Sequence, residues 1–164
     1  MSIQQSLLVE LMREQDNTLR MIQAVPNDKF DFKPHEKSMT LGQLSNHIVE
    51  LHNWVRSALT QDVFDFHADY QPLVKTSAED LVAELTQGFE NNKAVIEALK
   101  DETYFSNWTL KAGDHIIAEM PKAGALRFIV MNHLIHHRGQ LSVYLRLLDV
   151  PVPGVYGPSA DDKN

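Results

Sequence analysis

Two histidines four residues apart, His133 and His137, lie in the run Asn132-His133-Leu134-Ile135-His136-His137-Arg138-Gly139-Gln140. Imidazole is the commonest side-chain ligand of divalent metals, and two rings one helical turn apart can grip one cation from a single helix. The other reading is a pair of core histidines held neutral by hydrogen bonds. Which applies depends on the element that carries them. Leu126, Val130, His133, His137, Leu141, Tyr144 and Leu148 recur at spacings of three and four, as on one face of a long amphipathic helix. At about 100° per residue, His133 and His137 fall about 40° apart near the middle of that face, with His136 at its edge.

A third ligand has to come from another helix. Thr40-Leu41-Gly42-Gln43 has the form of a capping box, and the helix after it turns Leu41, Leu44, Ile48, Leu51, Val55, Ala58 and Leu59 inward. His47 and His52 flank this stripe on opposite sides, and periodicity does not choose between them. Trp54, on the side of His47, either walls a pocket or simply packs. Three imidazoles with a coordination position left open make a catalytic arrangement, whereas a structural site closes its shell with four protein ligands. Water or a substrate thiol, alcohol or carbonyl would take the open position, and a water or thiol there loses its proton near neutrality. The helical wheel turns Glu50 toward solvent, so no inward carboxylate accompanies the histidines and no general base is identified. Tyr144 reads as a packed core tyrosine rather than a ligand contact.

The remaining elements frame this pair of helices. Ile3, Leu7, Leu8, Leu11, Met12, Leu19 and Ile22 give residues 2–24 an apolar face, and Pro26 stops that helix. Residues 25–39 form a loop in which Phe30 and Phe32 tuck against the helix ends, and residues 61–76 form a second connection. Ser77 caps a third helix with Leu81, Leu85, Phe89, Val95, Ile96 and Leu99 inward, and Gly88 marks a weak point or a close approach. Residues 103–121 break the helical pattern, with Ala112-Gly113-Asp114 between two β-prone runs suggesting a short hairpin or extended excursion. The last helix ends near Asp149, and the final residues 159–164 are expected to fray. His35, His67 and His115 read as exposed loop residues. Four amphipathic helices without sustained β alternation predict an all-α four-helix bundle, one domain spanning residues 1–164.

Composition narrows the partners. A formal charge of −7, with 15 Lys and Arg scattered against 22 Asp and Glu, argues against nucleic acid and anionic membranes. The chain has no cysteine, which excludes disulfides, thiolate-bound zinc and a cysteine nucleophile. No signal peptide is apparent and no window is apolar enough to span a bilayer, so the expectation is a cytoplasmic protein.

Ser38-Met39-Thr40-Leu41-Gly42-Gln43-Leu44-Ser45-Asn46-His47-Ile48, followed downstream by the His133–Gln140 run and Leu141-Ser142-Val143-Tyr144-Leu145-Arg146, resembles the DinB/YfiT-like family over nearly the whole chain. The resemblance implies a four-helix bundle whose metal is held by His47, His133 and His137, one ligand from the second helix and two from the fourth. Nickel and zinc are the metals it suggests, and homodimers are common among relatives. It also implies activity on a small-molecule substrate, by likeness to thiol-dependent relatives such as bacillithiol S-transferases and mycothiol-dependent maleylpyruvate isomerase. The leading expectation is a metal-dependent transferase that activates a low-molecular-weight thiol or water. A metal-dependent hydrolase, and a non-catalytic metal- or ligand-binding stress protein, are the alternatives. The resemblance gives Arg138, Gly139 and Gln140 no role; Arg138 reads as a surface or interface charge and Gly139 as a place for close helix approach.

Overall fold

The computed structural model describes residues 2–162. Helices α1 (Ile3–Gln23), α2 (Leu41–Thr60) and α3 (Ala78–Ala98) are followed by a last helix, α4, built from three pieces. These are a turn at Lys122–Gly124, a π-helical stretch at Ala125–Met131 and a regular α-helix at Asn132–Leu147. The first three helices start where their caps dictate. Ser2 with Gln5 and Thr40 with Gln43 form reciprocal capping boxes, and the Ser77 hydroxyl accepts from the Asp80 amide at 3.1 Å. α4 has no polar cap; its start is held instead by buried Lys122, which donates to the Leu59 carbonyl at the end of α2 and pairs with Asp62 at 2.8 Å.

A small sheet complements the helices, in the order β1 (Val63–Asp65), β2 (Asn107–Ala112), β3 (His115–Pro121). β2 and β3 form the expected hairpin, and Gly113 at φ +60° supplies the left-handed residue of its turn. β1 pairs parallel to β2 and was not expected, because three residues are too short to show alternation. The protein is thus mostly helical with a three-stranded sheet rather than all-α.

α2 runs through both apolar clusters of the core. Its first half packs Leu44 and Ile48 with Met21, Leu81, Leu141 and Leu145. Its second half packs Val55 and Leu59 with Leu11, Ile96, Trp108 and Val130. The capped helices keep most of their predicted stripes, although Met12 is exposed. The tail does not fray through residue 162: the Ser159 hydroxyl donates to the Val152 carbonyl, and Asp161 accepts from the Val152 amide and Arg146. Lys163 and Asn164 lie outside the described residues. No helix among the described residues is long and apolar enough to cross a membrane.

α4 departs from the regular helix that periodicity suggests. Its buried line is Leu126, Val130, Leu134, Arg138, Leu141 and Leu145. The first four are spaced by four, and a regular α-helix drifts about 40° at each such step. The wide π turn, in which the Asn132 amide bonds back to the Arg127 carbonyl, absorbs the drift at the start of the line, and the three-residue step from Arg138 to Leu141 turns it back later. The line therefore runs one residue away from the predicted face, and His133 and His137 stand half-buried at its edge rather than at its centre.

Candidate metal centre

His47 on α2 meets His133 and His137 on α4 at the seam between these helices. One ring nitrogen from each lies within 4.8 Å of the others. The Nε2 atoms face one another, at 3.4 Å between His47 and His133 and 2.8 Å between His133 and His137. The outer nitrogens are spoken for: His47 Nδ1 lies 2.9 Å from a Glu50 carboxylate oxygen and His137 Nδ1 lies 2.7 Å from Gln140 Oε1. A carboxylate only accepts, so Glu50 assigns the His47 proton to Nδ1 and leaves the Nε2 lone pair pointing into the cluster. Gln140 does the same for His137.

On α4, burial favours the neutral form of both rings, with lone pairs to give. Burial, followed by the neighbouring His137, His47 and His136 rings, lowers the His133 pKa to about 4. Burial lowers His137 as well, against the opposing hydrogen bond to Gln140. Three converging lone pairs form the donor set a divalent cation satisfies. The His47–His133 separation matches the ~3.3 Å edge expected between nitrogens at tetrahedral zinc distances. The donor chemistry fits a metal ion, with protein ligands from two helices only.

Beside His47 opens a cavity of about 530 Å³, lined by Phe30, Met39, Glu50, Tyr70 and Leu73 among others. This is within the range of small-molecule sites. The Trp54 ring stands edge-on to His47 at 6.5 Å and packs against Phe64, Phe66 and Tyr70, so it both walls the site and packs. Tyr144 is a packed tyrosine whose hydroxyl donates to the Met39 carbonyl and whose ring meets Phe32.

Several residues stand elsewhere than the sequence suggests. Glu50 is 6% exposed, not solvated: it also accepts from the Tyr70 hydroxyl at 3.3 Å and the Leu73 amide at 3.1 Å. The wheel missed it because the 61–76 connection folds over that side of α2. Its place three residues after His47 was the available signal. His52 is fully buried away from the cluster, with Nε2 2.9 Å from the Thr18 hydroxyl. Burial and then the Arg138 charge lower its pKa to about 3, so it is a neutral core histidine.

Arg138 is no surface charge. At 2% exposed, it pairs with the Glu14 carboxylate and donates to the Glu14 carbonyl, the Thr18 hydroxyl and the Tyr156 hydroxyl. Tyr156 in turn donates to Glu14 at 2.7 Å, and burial with that contact pushes its pKa up to about 12. Gly139 is exposed with open space around it, so no helix approaches there. The close approach is at Gly88, where a Cβ would sit 2.1 Å from Asn53 Oδ1. His35, His67, His115 and His136 are exposed.

Known proteins share this architecture. A DinB-like protein from Bacillus cereus ATCC 10987 superposes with a TM-score of 0.71 at 24% identity, over 91% of this chain and 95% of that one. The DinB-like protein YjoA of Bacillus subtilis gives 0.68 at 19% identity, over 88% and 92%. In sequence, the uncharacterized protein YrdA of Bacillus subtilis (strain 168) is 28% identical over 149 residues, covering 91% of this chain and 85% of YrdA. The DinB family model matches residues 1–164. By that match along its whole length, with the helices and three-histidine seam described above, the chain belongs to the DinB family.

Proposed function

We propose that this protein is a metal-dependent enzyme in which His47, His133 and His137 hold a divalent cation, nickel or zinc, and present it to a small molecule in the adjoining cavity. The observation that carries the reading is the convergence of three Nε2 atoms, with the opposite nitrogens of His47 and His137 already committed to Glu50 and Gln140. A cation bound there supplies a Lewis acid that lowers the pKa of a thiol or water brought to it.

The chain's own residues do the rest. Phe30, Met39 and Leu73 give the cavity an apolar lining against which a small substrate sheds water. Trp54, Phe64 and Phe66 shield the α2 side of the cluster, keeping it a place where charge is poorly solvated. Burial, followed by the neighbouring Glu50 charge, holds Tyr70 as a phenol whose proton is donated to Glu50 beside His47. The reaction proposed for this centre is transfer of a low-molecular-weight thiol to a small electrophile, with hydrolysis as the alternative.

Further features join this reading. Contacts of α2 with α1, α3 and α4, and of α1 with α3 and α4, support a four-helix bundle. The family match along residues 1–164 supports a single domain. Exposed Val9, Met12 and Phe128 on α1 and α4 support pairing into a homodimer.

Anomalous scattering at the α2–α4 seam tests the site directly, with a peak at the edge of nickel or zinc expected. Conjugation of monochlorobimane with a panel of cellular thiols tests the reaction, with His47→Ala as the inactive control. Stoichiometric metal without turnover on thiols or simple esters would make the protein a binder. Protein that takes up no metal would remove the proposal.

A further inference from the structure

Glu50 gathers three donors that reach it from different parts of the chain: His47 Nδ1, the Tyr70 hydroxyl and the Leu73 amide. Two of these belong to the connection between β1 and α3, and Tyr70 and Leu73 line the cavity. The same connection is fastened one step earlier on α2. There the Asn46 side chain donates to the Lys75 carbonyl at 2.9 Å and accepts from the Lys75 amide at 2.7 Å. His47 stands between these two fastenings, and only the one through Glu50 involves its ring.

We propose that Glu50 is a positioning residue that fixes the His47 ring for metal binding and ties that ring to the cavity wall at 70–73, so that loading the three-histidine site and ordering the wall are coupled. The inference rests on the metal reading above and deepens it. All three clients of Glu50 are donors, and only an acceptor-only side chain serves them at once. A cation held by His47 would draw electron density from the ring and so strengthen the Nδ1–H bond to the Glu50 carboxylate, the usual coupling between a ligating histidine and its outer partner. The same carboxylate holds the Leu73 amide and the Tyr70 hydroxyl, so a more firmly seated Glu50 holds the wall more firmly. By reciprocity, a ligand that settles the wall raises metal affinity.

Glu50→Gln separates these roles without changing size. An amide has one acceptor end, so it either presents NH2 to His47 Nδ1, which forces the proton onto Nε2, or sets NH2 against the Leu73 amide. Three measurements read the result. In metal-free wild type, nitrogen NMR should find the His47 proton on Nδ1, and in the variant a population on Nε2. Zinc titration calorimetry should show the variant about 10- to 100-fold weaker. Zinc should slow hydrogen exchange at the Leu73 amide in wild type but not in the zinc-saturated variant. Metal-free thermal transitions check that the variant is folded; should it not fold, the two wild-type measurements decide alone.

Wild type that binds no zinc would overturn the metal reading and this inference together. Wild type that binds zinc with the His47 proton on Nε2, or with Leu73 exchange unchanged, overturns the inference alone. So does a Glu50→Gln protein that binds zinc as tightly as wild type.

Discussion

Helix α4 carries Arg138 on one side and His133 with His137 on the other, and the two polar clusters differ in how their charges are balanced. Behind the helix, one guanidinium meets one carboxylate, and the Thr18 and Tyr156 hydroxyls join the same network. That network balances its charges internally and reaches His52 through the Thr18 hydroxyl. In front, three imidazoles aim like groups at one another, and their acceptor partners Glu50 and Gln140 lie on the outer nitrogens. The first cluster is a set of matched charges, and the second is a donor set that could hold a cation.

The two clusters should respond in opposite ways to substitution. Arg138→Met should have the largest effect, a loss of about 3–5 kcal/mol in chemical denaturation, because Glu14 is left charged and buried. Combining it with Glu14→Leu should recover most of that loss; a double variant as unstable as the single one would show that the pair is not self-contained. Acid should also act on the core side. His52, with a folded pKa of about 3 against 6.5 unfolded, contributes stability that is fully present above pH 6.5. That contribution is lost as pH falls from 6.5 through 3, and His52→Asn should flatten this part of the metal-free stability profile.

Metal should act only on the front cluster. Nickel or zinc at a hundredfold excess over its dissociation constant should stabilise wild type by about 2.7 kcal/mol in thermal denaturation. His133→Ala should remove that gain while costing the metal-free protein little, and an equal gain in the variant would place the binding elsewhere. Tyr156→Phe should have the smallest effect, about 1.5 kcal/mol, from the lost hydrogen bond to Glu14. It should leave metal affinity unchanged, and a change there would link the two clusters.

Much of this was legible in the chain because it is local. Thr40 with Gln43 and Ser77 mark their helices within a single turn, and Gly113 marks the hairpin. The apolar stripe of α2 is regular enough to read directly. His133 and His137 could be paired for the same reason, since four residues on one helix fix their proximity. What stayed hidden depends on long-range partners. Arg138 was indistinguishable from a solvated charge because Glu14 lies 124 residues away in sequence. Glu50 looked exposed until the connection bearing Tyr70 and Leu73 closed over it. His47 and His52 are equivalent by periodicity, and Thr18 from α1 draws His52 into the core. β1 is a strand only because β2 lies beside it.

The π-helical stretch at Ala125–Met131 has a consequence for how this chain can change length. Such a stretch holds one amino acid more than a regular helix needs to cover the same rise. Losing a residue there would let the backbone relax into ordinary winding, with everything after it keeping its bearing. The same deletion between His133 and His137 would swing one imidazole about 100° from the other. Insertions and deletions inherited by this helix are therefore expected upstream of the histidines, where the coil has slack to give.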